Sequence, residues 1–463
     1  MDDYDSARVY LAKWAASAQR DSERSAPRDS ALRRPRLHGP IGGREEETTV
    51  GWFEVVDTET PFFSHTRTTP MSAEEWTTFF DETGRFMLTE AEVRERIFRG
   101  GIEHDIRIEV WKFLLGVYPW NSSLEEREQV RKMKIEEYFS IKRKWFENSE
   151  VQSTPEFQDQ KHRIATTGFS FCVPLYRTSA DKDVHRTDRS ISFFAGEDLP
   201  NPDPQAQFGT NTNLELLKDV LLTYNFYNTD LGYVQGMSDL LAPVFAVMGD
   251  EVMAFWAFVG YMDRMKSNFY TDQSGMHRQL TILDQLIRLM DPRLYAHLER
   301  TESFNLFFCF RWLLIWFKRE FVWDDIMRLW EVLWSDHLTS EFHLFVALAI
   351  LDKHRDVIMD HLTQFDEILK YVNDLSHTID LEETLQRAEI LYLQFGRRVE
   401  AVDNRRAELD EELSKRAVWT DEVKRKAVEE EKGKLPVIAE GLRGLLGKEE
   451  ADKGKKPEMV ERE

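Results

Sequence analysis

The segment Glu103-His-Asp-Ile106-Arg-Ile-Glu-Val110-Trp111-Lys-Phe-Leu114-Leu115-Gly116 places Ile106, Val110, Trp111, Leu114 and Leu115 on one stripe at helical spacing. Gly116 and Pro119 end that pattern. Just upstream, Thr89 with Glu92 reads as a capping box, and Arg99-Gly100-Gly101 reads as the stop of the helix it opens. Downstream, 124–148 reads as a long charged helix and 201–213, with Pro200, Pro202 and Pro204 in or beside it, as a loop. Residues 214–227 return to helical pattern. Helix-length segments then follow with short breaks, at 238–248, 250–267, 276–290, 292–299, 304–320, 323–333, 339–353, 355–371 and 381–397. No succession of alternating strands intervenes, so the expected class is all-α: a single large multi-helix domain with aromatic-rich packing.

Composition narrows the function. A chain of 463 residues, 42% hydrophobic and 12% aromatic, can bury a large core. A net charge of -22 excludes a nucleic-acid binder, which needs a basic field to displace counterions. Cys172 and Cys309 make neither a disulfide framework nor a zinc pattern, and a reducing, cytoplasmic setting is expected. His104, His185, His277 and His343 show no ligand spacing, so no metal is expected. Met1-Asp-Asp-Tyr-Asp lacks the basic-then-apolar order of a signal peptide. The most apolar run, 304–317, is too short to span a bilayer and contains Arg311. With no transmembrane segment expected, membrane association would be peripheral, through a partner. The chain divides into a disordered 1–50, an aromatic lead-in at 51–97, a domain at 98–397, and a charged helical extension with a disordered tail at 398–463.

Two short motifs carry the chemistry. Asp183-Val-His-Arg186-Thr-Asp-Arg189 offers an arginine beside acidic and hydroxyl partners, and Tyr233-Val-Gln235-Gly236-Met-Ser-Asp239 offers a glutamine followed by glycine. Neither holds a nucleophile. Phosphoryl transfer to water needs little covalent help, so an arginine that meets charge on phosphate oxygens and a glutamine that aims a water can supply the missing stabilisation. Gly236 lets backbone approach without a side chain in the way.

With Phe98-Arg-Gly-Gly-Ile102, Arg107 to Gly116, Phe310-Arg311-Trp312, Arg319-Glu320-Phe321, Leu329-Trp330-Glu331 and Phe342-His-Leu-Phe345, these motifs resemble the TBC domain of Rab GTPase-activating proteins over roughly 98–395. Tyr118-Pro-Trp120 and Asp230-Leu-Gly-Tyr resemble the fungal branch that acts on the vacuolar Rab. The resemblance implies that Arg186 and Gln235 act in trans as two catalytic fingers, with Asp183, Asp188, Arg189, Tyr233 and Gly236 in support. Asp183 first, at the family position, and Asp188 would each orient the guanidinium of Arg186 or Arg189, and Arg311, Trp312, Arg319 and Glu320 would line a partner groove along one helical stretch. It also implies a GTP-bound Rab partner, the late endosomal/vacuolar Rab in that branch, on endosome or vacuole membranes and in vesicle traffic. No cofactor of its own is implied: GTP and Mg²⁺ come with the partner, and the chain is an activator rather than an enzyme. The alternative is a catalytically idle TBC scaffold. The family pattern Ile-x-x-Asp-x-x-Arg is broken here, since Ala180 stands three residues before Asp183 and Ile164 lies further upstream. Removing 165–180 restores it, so that stretch reads as an insertion, either an unspliced intron in the gene model or a natural loop.

Overall fold

The computed structural model describes residues 67–166, 188–200, 209–416 and 422–447. The expected disordered segment 1–50, most of the insertion at 165–180 and the end of the tail lie outside the described residues. Among the described residues the regular structure is helical, with three isolated bridges and no strand. The helices are α1 (Ala73–Thr77), α2 (Glu90–Gly100), α3 (His104–Leu114), α4 (Leu124–Phe146), α5 (Ser149–Gln152), α6 (Pro155–Thr166), α7 (Thr212–Tyr227), α8 (Met237–Met248), α9 (Glu251–Met265) and α10 (Ser274–Met290). They continue with α11 (Pro292–Arg300), α12 (Phe310–Leu314), α13 (Trp323–Trp334), α14 (Phe342–Lys353), α15 (Arg355–His361), α16 (Phe365–Asp374), α17 (Leu381–Arg416), α18 (Glu422–Lys434) and α19 (Glu440–Arg443).

Local sequence explains most boundaries. The Thr89/Glu92 capping box forms: Glu92 accepts from the Thr89 backbone N–H at 2.8 Å, while Thr89 Oγ1 accepts from that of Glu92 at 3.3 Å. On α3 the stripe Ile106, Val110, Trp111 and Leu114 is buried as its spacing predicts. The lead-in is anchored by rings: Trp76 lies 5.0 Å from Phe80, and Phe86 lies 5.1 Å from Phe113 of α3. Helices α8 and α14 carry apolar residues all round and are the innermost elements. Gly260 on α9 lets the end of α3 come close, because a Cβ there would sit 1.8 Å from the Leu115 carbonyl oxygen. A wholly buried carboxylate ties α3 to α13: Glu331 accepts from Arg107 Nε at 2.5 Å and Trp111 Nε1 at 3.0 Å. Burial pushes the Glu331 pKa up, and the Arg107 guanidinium works against that rise.

Four expectations are revised. Residues 304–320 are not one helix. Helix α12 stops at Leu314, and the chain turns through Trp316 at φ 42° and Phe317 at φ 61°, both left-handed and both buried. The turn is held from outside: Trp330 Nε1 of α13 donates to the Trp316 carbonyl at 2.9 Å. A buried relay supports it from below, with His343 Nε2 on Gln279 at 2.7 Å, Gln279 on Asn268 at 2.5 Å and Asn268 on the Leu313 carbonyl at 3.4 Å. Residues 355–371 form two helices, because Gln364 and Glu367 make a capping box that starts α16 afresh. Helix α17 does not end near 397 but runs to Arg416 and folds back as a hairpin with α18 around Leu409, Leu413, Val428 and Leu435. Finally, residues expected in the tail return to the body, where Ile438, Leu442, Leu445 and Leu446 join the main core and Tyr392 donates to the Leu446 carbonyl at 2.8 Å.

Beyond the turn, Glu320 is wholly buried and accepts from Arg311 Nε at 2.7 Å, from Arg311 Nη2 at 2.9 Å and from Ser376 Oγ at 2.8 Å. Removing one partner of such a pair leaves the other charge poorly compensated, so Glu320→Ala is expected to destabilise the fold by about 3 kcal/mol in urea unfolding. A second expectation concerns pH. Burial pushes the Asp284 carboxyl of α10 from 3.8 up to about 6, with Arg288 opposing and Glu299 adding to the rise. Its folded pKa therefore exceeds the unfolded one. The destabilisation is absent at pH below 3.8, grows as pH rises, and is complete above about 6. Asp284→Asn should raise Tm at pH 7.5, by a margin that shrinks as thermal melts are taken toward pH 4.

Candidate functional site

The glutamine motif sits where a loop enters α8. After α7 the chain turns at Asn228, passes Gly232 at φ 64° and the buried Tyr233, and reaches the half-buried Gln235. Gly236 caps α8 at φ 98°, a conformation that L side chains resist. A Cβ at Gly236 would also lie 3.1 Å from Ile315 Cγ2 and 3.5 Å from Phe269 Cε1. The glycine is therefore fixed twice, by backbone angle and by the turn beneath it. In the first turn of α8, Asp239 receives both arms of the Arg319 fork, each at 3.0 Å.

Asp183 and Arg186 lie outside the described residues, which resume at Asp188. That aspartate is left-handed at φ 50°, and its carbonyl accepts from the Ile191 N–H at 2.8 Å to close a turn. Its carboxylate meets the Lys318 ammonium at 2.9 Å. Burial pushes the Asp188 pKa up and Lys318 pulls it back, with Asp239 and Arg319 near enough to act on it as well. Asp188 Oδ2 is buried without a hydrogen-bond partner among the described residues. The chain beyond is pinned to α7 and α8. Asn211 donates to the carbonyls of Phe194 and Gly196 at 2.9 and 2.8 Å, and the Phe193 ring lies 5.2 Å from that of Phe245.

The end of the arginine motif and the start of the glutamine helix thus meet on one turn, Lys318 on Asp188 and Arg319 on Asp239. On the other side, α6 passes the glutamine loop, where a Cβ on Gly232 would lie 3.5 Å from Gln160 Nε2. Some expected roles change. Asp188 pairs with Lys318 rather than with Arg189, whose described partner is Glu197 at 3.1 Å. Trp312 and Glu320 offer no surface to a partner. Trp312 is core, with its ring tilted against that of Phe317 at 6.0 Å, and Glu320 is committed to Arg311. Arg311 and Arg319 keep partial exposure, with side chains 28% and 35% accessible, but they do not share one helix. Lys318 and Asp239 were missed by sequence reading. The available signal was three consecutive charges, Lys318-Arg319-Glu320, directly after an aromatic run.

Residues 176–359 match the model of the Rab-GTPase-TBC domain. The chain is 48% identical over 420 residues to the GTPase-activating protein GYP7 of Yarrowia lipolytica, covering 87% of this chain and 53% of that one. It is 44% identical over 452 residues to its namesake in Schizosaccharomyces pombe, covering 96% and 56%. It is 42% identical over 328 residues to the mouse TBC1 domain family member 17, covering 71% and 47%. The chain spans about half the length of these relatives. Among solved structures, the crystal structure of the Ypt/Rab-GAP domain of Gyp1p superposes with a TM-score of 0.54 at 22% identity, covering 69% of this chain and 97% of that domain, a likeness of fold. The chain carries a Rab-GTPase-TBC domain.

Proposed function

We propose that this chain accelerates GTP hydrolysis by a Rab-family GTPase, lending Arg186 and Gln235 in trans to the partner's nucleotide site. The observation that carries this reading is the convergence of Asp188 and Asp239 on Lys318 and Arg319. Arg186 stands two residues before Asp188, a tether of at most about 7 Å of extended backbone. Gln235 stands one residue before the glycine that rests on the same turn. In this reading the guanidinium donates to phosphate oxygens as charge develops on them, and the carboxamide orients the attacking water. Lysine would not replace Arg186, because only a planar fork donates to two oxygens at once. GTP and Mg²⁺ come with the partner. The relatives named GYP7 and the branch-like Tyr118-Pro-Trp120 support a late endosomal or vacuolar Rab as substrate, with the chain acting peripherally on those membranes.

Single-turnover hydrolysis by a panel of GTP-loaded Rab proteins tests the proposal. The wild-type chain should accelerate at least one of them. Arg186→Ala should lose about 10³-fold or more of that acceleration, as loss of an arginine finger does. Gln235→Ala should lower the maximal rate with circular dichroism unchanged. Full activation by Arg186→Ala would remove the arginine from the mechanism.

A further inference from the structure

Lys318 is 7% exposed, yet nothing in the chemistry proposed above uses it. Its ammonium lies between two groups, the Asp188 carboxylate at 2.9 Å and the Trp323 ring at 5.0 Å from the centroid. Its own backbone N–H closes the turn by donating to the Ile315 carbonyl at 3.1 Å. Ile315 is the residue against which Gly236 rests. A short mechanical path therefore runs from Gln235 through Gly236, Ile315 and Lys318 to Asp188, two residues past Arg186.

The neighbouring pair makes the roles separable. Arg319 on Asp239 already fastens the turn to α8, so that half of the path does not depend on Lys318. What Lys318 adds is the hold on the other half, the chain that leaves the arginine motif. Asp188 is left-handed at φ 50°, a conformation an unrestrained aspartate leaves readily, so its position depends on an outside grip.

We propose that Lys318 is a positioning residue: by gripping Asp188 from the turn that supports Gly236, it ties the chain that leaves the arginine motif to the glutamine loop before a GTPase arrives. This rests on the reading of Arg186 and Gln235 given above. The consequence falls on the chemical step, because a displacement of about 1 Å in a catalytic group costs on the order of 10²-fold in rate, while surface contacts with the partner are left alone. Loss of the grip should therefore lower the maximal rate and spare the concentration at half-saturation.

The test is single-turnover GTP hydrolysis by a responsive Rab at varied concentrations of the full chain, with thermal melts in parallel. Lys318→Met should lower the maximal rate by about 10- to 100-fold, with half-saturation changed by less than about 3-fold. The double variant K318M/D188N, which strands no charge, should melt near the wild type and show the same loss. Lys318→Arg should recover most of the rate. In an Arg186→Ala background, Lys318→Met should add little, since a residue that acts through the finger has nothing left to position. The proposal is overturned if the double variant keeps the wild-type maximal rate, if the loss lies in half-saturation alone, if Lys318→Arg is no better than Lys318→Met, or if the losses from Arg186→Ala and Lys318→Met multiply. A wild-type chain that accelerates no Rab in the panel would instead sink the GTPase-activating reading and the positioning role with it.

Discussion

Three consecutive charges, each committed to a counter-charge on a different element, hold the candidate site together. Lys318 takes Asp188 at the end of the arginine motif, Arg319 takes Asp239 on α8, and Glu320 turns inward to Arg311 on α12. Reaching three separate elements from three successive residues places a demand on where the backbone of this segment runs. The backbone meets the demand by leaving α12 and turning left-handed at Trp316 and Phe317. Those two angles cost on the order of 1–3 kcal/mol each and persist only where surroundings over-determine them. The surroundings here are the Trp330 bond to the Trp316 carbonyl, the Trp316 ring stacked 5.2 Å from His343, and the relay that ends on Leu313. Strain of this kind beside a proposed reaction centre is consistent with a turn kept for what it positions.

The relay is arranged so that it does not add a charge to the core. Burial holds the His343 pKa low and leaves a neutral ring that donates from Nε2, while the remaining donors and acceptors point in series toward Leu313. A connected chain of this sort rigidifies because each member fixes the orientation of the next. It links α14 and α10 to the end of α12, so the platform under Gly236 draws on α14, one of the innermost helices.

Much of this architecture was legible because its signals are local. Thr89 with Glu92, the stripe from Ile106 to Leu115 and the paired glycines at 100 and 101 depend on neighbours within one or two helical turns, and each produced the element it announced. The run 304–320 failed for the opposite reason. An almost uniformly apolar sequence has no periodicity with which to separate a buried helix from a buried turn, and the pairs that decide the matter reach to positions 188, 239 and 376. The rise in charge after 397 read as the start of a charged helical extension, and it marks one helix leaving the core for solvent with its backbone unbroken. At the site, the glycine of the glutamine motif was readable as a backbone position, and Gly236 caps α8 at φ 98°. Asp239 and Lys318 were not readable, because nothing within a few residues of either announces its partner.

The choice of cation at positions 318 and 319 follows the geometry each must satisfy. Asp239 presents both oxygens to one donor, and the planar guanidinium of Arg319 matches them with two parallel bonds, fixing angle as well as distance. Asp188 offers one oxygen, and the compact Lys318 ammonium meets it while also lying over the Trp323 ring. The first arrangement resists rotation of the turn against α8. The second resists translation of the loop away from it. A pair of restraints that differ in kind defines a relative position more completely than two of the same kind, and relative position is what the proposed mechanism asks of two groups at one phosphoryl centre.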